Sequence, residues 1–312
     1  MKIQFLRLLL GGLLVPLAIA ATQGGENSDS PAASSPKIAS ENLGAEQREG
    51  KILVDLDVEC GRGEDQVLKL DMARPANLSQ KTPCIVVIHG GAWRGGGKKD
   101  HAALIRGFAN AGVIAVSVEY RLAPKYKFPA QIEDVKCAVR YLRANAARLK
   151  LDSDRIAAVG YSAGAHLAML LGTTEASDGL EGSGGNPTQS SKVNAVVSYF
   201  GPVDLSLPAS SPESVGWVKD FVGASLSEKP EAYKRASPLS YVSKGDAPML
   251  LYQGTSDPLV SLLHATRMAE AMEKAKVPGR VQLLSGAGHG WGGTLGAYTD
   301  ADSAQFLREI FK

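Results

Sequence analysis

A chain that must turn sharply from a strand into a helix around a single serine has few folds open to it. Residues Gly160-Tyr161-Ser162-Ala163-Gly164 describe such a turn, with the apolar run Ile156-Ala157-Ala158-Val159 before it and the helical pattern Leu167-Ala168-Met169-Leu170-Leu171 after it. Glycines on both sides let the backbone bend without side-chain clashes, and the helix N-terminus aims its free N–H groups at the serine. The G-x-S-x-G spacing in this context predicts a nucleophile elbow carrying Ser162. Without the flanking strand and helix the same five residues would read as a Gly/Ser-rich turn with no chemistry.

A nucleophile that attacks an acyl carbonyl turns the carbonyl oxygen into an anion, which needs preorganised N–H donors about 3 Å away. His89-Gly90-Gly91-Ala92-Trp93, directly after the strand-like run Cys84-Ile85-Val86-Val87-Ile88, is a side-chain-poor loop suited to this. The expected oxyanion-hole donors are the backbone N–H groups of Gly91, Ala92 and Ala163. A phosphate-binding reading fails because Gly95-Gly96-Gly97-Lys98-Lys99-Asp100 has no hydroxyl residue after its lysine. His89 is read as a loop-shaping residue and not as the base.

The acid and the base should follow the serine in that order. Met249-Leu250-Leu251-Tyr252-Gln253-Gly254 reads as a buried strand, and Asp257 comes on the turn after it. After one more strand, Val281-Gln282-Leu283-Leu284, the glycine-rich loop Ser285-Gly286-Ala287-Gly288-His289-Gly290-Trp291 carries His289, the expected general base. Among the other histidines, His166 is expected beneath the elbow and His101 in an early helix. His264 falls inside the helix after Asp257, as a surface or partly buried side chain. Asp204 also follows an apolar run and is the rival acid; loop placement favours Asp257.

Apolar strands near Ile85, Val113–Val118, Ile156, Val193, Met249 and Val281 alternate with helical segments. Such alternation predicts an α/β-hydrolase fold: a mostly parallel central sheet with helices on both faces. The clearest helix runs from Pro129 to about Leu149, with Ile132, Val135, Val139 and Leu142 as its apolar stripe and its basic residues toward solvent. Residues 172–192 and 206–240 look like insertions, the second a small partial cap over the site.

Glu119-Tyr120-Arg121-Leu122-Ala123-Pro124, followed by Phe128-Pro129-Ala130-Gln131-Ile132-Glu133-Asp134, resembles the corresponding segment of hormone-sensitive-lipase-like esterases. With His89–Trp93 and the elbow, the likeness is to the bacterial carbohydrate acetyl and feruloyl esterase group of that superfamily, over roughly residues 50–312. The resemblance implies a serine esterase that needs no cofactor. Two departures stand out: Ala92 replaces a third glycine, narrowing the pocket, and Gln253 replaces a histidine, which reads as a packing change outside the triad.

Residues 1–20 combine Lys2 and Arg7 with the apolar stretch Leu8–Ile19 and the small residues Ala18-Ile19-Ala20, the pattern of a secretory signal peptide. Residues 21–49 lack apolar periodicity and read as a flexible linker; residues 50–312 then form one catalytic domain. A secreted or periplasmic enzyme is expected. Gly11-Gly12 and Pro16 interrupt the apolar stretch, and no cysteine follows it, so no stable membrane anchor is expected. Cys60, Cys84 and Cys137 are too few and scattered for a disulfide framework, and no metal motif occurs; buried free thiols and no metal are expected. The net charge of +2, with dispersed basic residues, gives no support for nucleic-acid binding.

The expected partner is a small-molecule or oligosaccharide ester. Trp93, Trp217 and Trp291 fall near site elements and are candidate substrate-binding residues, since aromatic rings stack on sugars and phenols. Ala92 and Trp93 together favour short acyl groups. Other readings remain open at this level: a general short-chain carboxylesterase or lipase-like enzyme, an aryl-formamidase, a peptidase, or a non-catalytic binding protein on the same fold. The absence of a propeller-like extra domain disfavours the peptidase, and export disfavours the formamidase.

Overall fold

The computed structural model describes residues 46–312. The signal-peptide expectation and most of the expected linker lie outside the described residues. Strands β1 (Glu46–Glu49), β2 (Ile52–Gly63), β3 (Gln66–Pro75), β4 (Thr82–Ile88), β5 (Ile114–Val118), β6 (Leu151–Tyr161), β7 (Ala195–Tyr199), β8 (Met249–Gly254) and β9 (Gly279–Leu284) form one sheet in the order β1-β2-β3-β5-β4-β6-β7-β8-β9. From β5 to β9 every neighbouring pair is parallel, whereas β1, β2 and β3 join antiparallel at one end. Glu46–Glu49, at the end of the expected linker, is therefore the edge strand of the sheet.

The central strands are buried on both faces, which explains their near-continuous apolar sequences. Along β4 the side chains of Cys84, Val86 and Ile88 enter one core cluster while Ile85 and Val87 enter the other, the period-2 alternation of a strand. The first cluster takes in α2 (Ala130–Ala144), α4 (Ala163–Thr173) and α7 (Leu262–Ala275); the second takes in α1 (Ala102–Asn110) and α8 (Gly293–Ile310). Helices thus cover both faces, as the alternation of apolar segments predicts.

The stripe Ile132, Val135, Val139 and Leu142 on α2 is fully buried against the sheet. The segment to Leu149 is two helices, because the chain breaks at Asn145 before the short α3 (Ala146–Leu149). One expectation for α2 is corrected. Lys136 and Arg140 do not face solvent; both are buried, and both pair with Glu181 at 2.6 and 2.9 Å. Arg140 Nη1 also donates to the Glu181 carbonyl at 2.8 Å and its Nε to that of Gly185 at 2.9 Å. The insertion after α4 is therefore pinned onto α2 by two cations whose long stems cross the interface.

The second insertion supplies α5 (Pro212–Val222), capped by Ser211, and α6 (Pro230–Arg235). Pro212 stands at the first helical position, where its missing N–H costs nothing, and Gly223 ends α5 in the left-handed conformation. Phe221 is fully buried in the core cluster that α4 shares, which anchors the insertion.

Cysteines and four of the five histidines are built into this interior. Cys60, Cys84 and Cys137 are free and buried. Burial pushes the Cys137 thiol up to about 11 and raises those of Cys60 and Cys84 further. Ellman's reagent should therefore find no thiol in the native protein and three after unfolding; a fast-reacting native thiol would contradict this packing. Burial also lowers His101, His166 and His264 to about 4 and depresses His89. An unfolded histidine titrates near 6.5. Between about pH 6.5 and 4 the unfolded chain then binds more protons than the folded one, so stability falls as pH drops through that window. His166 and His264 each contribute a slope of about 1.4 kcal/mol per pH unit there, and His89 adds in the same direction. Urea midpoints should be level above pH 7 and fall steeply from 6.5 to 5, with a shallower fall in His166→Asn; a flat profile would contradict this assignment.

Candidate active site

Ser162 sits between β6 and α4 at φ 52° and ψ −118°, a conformation an ordinary residue adopts only under constraint. Both flanking glycines are required by close backbone approach. A Cβ on Gly160 would lie 2.2 Å from the Gly164 carbonyl oxygen, and one on Gly164 would lie 2.2 Å from the Ile88 oxygen and 2.4 Å from that of His89. The elbow is thereby pressed against the end of β4, where the loop His89–Trp93 begins. Ser162 N donates to the Tyr199 carbonyl at 2.9 Å, which fixes the turn from the β7 side.

Ser162 Oγ is 2.9 Å from His289 Nε2, and His289 Nδ1 is 2.8 Å from Asp257 Oδ2. The carboxylate of Asp257 is fully buried, while His289 is about one-sixth exposed. Burial alone raises the Asp257 carboxyl, but His289 and the backbone N–H groups of Val260 and Leu259, at 2.9 and 2.8 Å, outweigh it and hold it below the ordinary carboxylate range. A charged Asp257 accepts the Nδ1–H of His289, leaving Nε2 free to accept the Ser162 proton. The rival Asp204 is not the partner of His289: its Oδ1 accepts the N–H of Ser206 at 2.9 Å and its Oδ2 lies 4.0 Å from Arg267.

Gln253 corrects the sequence reading. Its Nε2 donates to Asp257 Oδ2 at 2.9 Å and to the Val260 carbonyl at 2.9 Å. It belongs to the shell that holds the acid, which no local pattern announces.

Gly91, Ala92 and Trp93 have φ of 102°, 52° and 58°, a left-handed run that curls the loop. Gly91 and Ala92 line the same cavity as Ser162 and Ala163. The Tyr120–Asp134 segment holds that loop. Tyr120 Oη donates to the carbonyls of His89 and Gly90 at 3.0 and 3.2 Å, and its ring stacks on His89 at 4.2 Å. His89 Nδ1 meets the Gly90 carbonyl at 2.8 Å, the loop-shaping role expected for it. Ala123 N donates to the Trp93 carbonyl at 2.8 Å, and the buried Arg121 pairs bidentately with Asp134 at 2.8–3.0 Å.

The three tryptophans have different fates. Trp217, half-buried on α5, lines the cavity. Trp93 also lines it but as a buried wall: its ring stacks on Phe221 at 4.3 Å, and its Nε1 donates to His166 Nδ1 at 3.3 Å. Trp291 does not line the cavity. It packs edge-on against Phe200 at 5.2 Å and donates to Thr299 Oγ1 at 3.0 Å, because a ring so close to β7 and α8 is drawn into their apolar cluster. Phe200 in turn contacts the His289 ring at 4.7 Å, so Trp291 buttresses the base from behind.

His264, expected as a surface or partly buried side chain, is buried in the cavity wall. His101 stacks on Tyr161 at 4.8 Å, and His166 lies beneath the elbow with Nε2 donating to the Ala236 carbonyl at 2.7 Å. The cavity over Ser162 measures about 920 Å³, and residues 206–226 furnish much of its lining, which makes the expected partial cap. Among the described residues no group of three His, Cys, Asp or Glu could hold a metal ion, and no helix is long and apolar enough to cross a membrane.

The sequence and fold of this chain are similar to those of known esterases. A family model described as BD-FAE matches residues 70–272. Esterase LipC of Mycobacterium tuberculosis is 32% identical over 265 residues, covering 80% of this chain and 64% of LipC. The chain spans between 52% and 64% of the length of this and two further mycobacterial relatives. Among solved structures, a truncated carbohydrate esterase from gut microbiota superposes with a TM-score of 0.73 at 27% identity, over 82% of this chain and 95% of that one. Esterase Est2 of Thermogutta terrifontis, with propionate bound, superposes with a TM-score of 0.70 at 27% identity, over 84% and 95% of the two chains. The same protein is known with butyrate bound and phosphorylated by paraoxon. The chain is thus a member of the BD-FAE family, within the esterase superfamily built on the α/β-hydrolase fold.

Proposed function

We propose that this protein is an exported serine carboxylesterase that removes short acyl groups from carbohydrate or aryl alcohols. The observation that carries the reading is the continuous relay Ser162–His289–Asp257, with contacts of 2.9 and 2.8 Å. In the forward step His289 Nε2 takes the Ser162 proton as Oγ attacks the acyl carbonyl. The N–H groups of Gly91, Ala92 and Ala163 receive the oxyanion, and Asp257 stabilises the imidazolium. His289 then gives its proton to the leaving alcohol, and the acyl group stays on Oγ. Water, deprotonated by the same nitrogen, attacks the acyl-enzyme; the bond to Oγ breaks, His289 returns the proton to Ser162 Oγ, and the acid is released.

Several observations support the finer claims. Ala92 and Trp93 line the cavity beside the proposed donors, so an acyl chain extending from the carbonyl meets a methyl group and a buried indole. The carbohydrate esterase and the propionate- and butyrate-bound Est2 among the structural counterparts fit the same chemistry. Plant-type polysaccharide fragments carrying acetyl or feruloyl esters are the proposed natural substrates, met outside the cytoplasm if the residues before the described domain act as a signal peptide. The capacious lining, rich in Leu205, Leu207, Val218, Leu226 and Leu259, favours a second reading, a general short-chain carboxylesterase indifferent to the alcohol.

Because the triad acts as a unit, Ser162→Ala and His289→Ala should each lower kcat by roughly 10⁴-fold or more, and Asp257→Asn somewhat less. A fluorophosphonate should label Ser162 and no other residue. Near-normal turnover by folded Ser162→Ala protein would end the serine-esterase reading. Across a ladder of p-nitrophenyl esters kcat/KM should peak between acetyl and butyryl. A maximum at octanoyl or beyond would overturn the short-acyl claim, whereas failure to cleave any acetylated or feruloylated saccharide would leave the general carboxylesterase.

A further inference from the structure

His264 is the third residue of α7, two turns of chain after the acid, and it is 7% exposed in the wall of the cavity that holds Ser162 and His289. Its Nδ1 accepts the backbone N–H groups of Val203 and Asp204 at 3.2 and 3.4 Å. A ring nitrogen that accepts cannot carry the proton, so in the neutral imidazole Nε2 carries it. Burial keeps the ring neutral across the working range, with a pKa of about 4. Among the described residues Nε2–H has no protein acceptor.

This sets His264 apart from the other buried polar side chains of the cavity. Trp93 donates to His166, Tyr233 donates to the Ala224 carbonyl at 2.9 Å, and Ser214 pairs with Ser211 at 3.1 Å. His264 Nε2 is not among the fully buried unpartnered atoms, so its N–H opens onto the cavity, where a ligand oxygen can take the place of water. Asp204, whose backbone N–H reaches the same imidazole, also lines the cavity. Its Oδ1 is committed to Ser206 and its Oδ2 has only the distant Arg267 at 4.0 Å. A carboxylate acceptor and an imidazole donor thus both belong to residues that line this cavity, and the backbone amide of Asp204 ties the two residues together.

We infer that His264 and Asp204 form a subsite for a hydroxyl group on the alcohol part of the substrate, a polyol or sugar. The inference rests on the esterase reading above and adds what the alcohol must carry. A hydroxyl is both donor and acceptor: its oxygen accepts from His264 Nε2–H while its hydrogen goes to Asp204 Oδ2. A simple alkyl alcohol has no hydrogen to give the carboxylate and no oxygen, beyond the ester itself, to accept from His264. The apolar remainder of the cavity then holds the carbon skeleton, and this pair selects among skeletons that fit.

The test compares two small acetate esters of similar size, 1-monoacetylglycerol and pentyl acetate, on the full chain. The wild type should prefer the glycerol ester in kcat/KM. His264→Asn keeps an oxygen near the Nδ1 position for the Val203 and Asp204 amides and withdraws the outer donor, while Asp204→Asn keeps the shape and removes the charge. Each should lower the glycerol-to-pentyl ratio about 10–100-fold, the equivalent of one hydrogen bond to a charged or buried partner. A ratio within twofold of wild type in both variants, or a wild type that cleaves pentyl acetate without preferring the hydroxylated ester, overturns the subsite and leaves the esterase standing. A wild type that cleaves neither ester overturns both readings. Using a ratio separates recognition from stability, because a variant that merely folds less well loses both activities together.

Discussion

The contact on which this molecule most depends is backbone against backbone, where Gly164 meets the end of β4. Ser162 must occupy a strained conformation, and that strain persists only if the surroundings over-determine it. They do so because Gly160 and Gly164 bring β6, α4 and the carbonyls of Ile88 and His89 within distances no Cβ would permit. The strand that carries the nucleophile and the strand that leads to the oxyanion loop are hydrogen-bonded neighbours, from Cys84 and Ile156 up to Ile88 and Gly160. Sheet register therefore sets the distance between the attacking oxygen and the proposed N–H donors before any side chain is placed.

Around that contact the loop is held from two directions. Below, Tyr120 locks the carbonyls of His89 and Gly90 while the Arg121–Asp134 pair fixes the segment that carries Tyr120, so a motif about thirty residues downstream acts through the backbone of the first. Above, Trp93 joins the loop to Phe221 of the cap helix and to His166 of the elbow helix. A shift of α5 would be felt at Trp93, next to Ala92 in the left-handed run. Cap and oxyanion loop are mechanically one unit through three rings, and the neutral state of His166 is part of that unit because its Nδ1 must accept.

Much of this was legible because it is local. A strand, five residues and a helix announce the elbow, and glycine-rich loops after strands announce the oxyanion loop and the base. Ser162, His289 and Asp257 come together in the structure because the order of these loops in sequence is their order across the sheet. What escaped is what depends on partners distant in sequence. Gln253 reads as one more residue of a buried strand, and its amide matters only because Asp257 folds back over it. Trp291 reads as a rim aromatic two residues after the base, yet α8 and Phe200 draw it against the core, where it is partly buried. Lys136 and Arg140 read as solvent-facing until Glu181 crosses over them. The antiparallel start of the sheet was hidden for another reason: β2 alternates acidic and apolar residues, as in Val54-Asp55-Leu56-Asp57-Val58, and its Asp55 is buried against Arg74 of β3.

The electrostatics of the site follow from where water is excluded. Asp257 is fully buried yet stays ionised, because two backbone amides, the Gln253 amide and the His289 ring all point hydrogens at its two oxygens. A buried carboxylate so satisfied is stabilised as an anion without needing a protein cation. His289 is the imidazole hydrogen-bonded to it, and His264, which the charge of Asp257 also reaches, is held neutral by burial, so the field of Asp257 is spent on the state of His289 that exists after proton transfer. An arginine beside Asp257 would have held it equally well and would have cancelled that field. The amides solve the desolvation problem without neutralising the charge, which is why the acid sits on a turn whose N–H groups converge and not in one of the ion pairs found elsewhere in this chain.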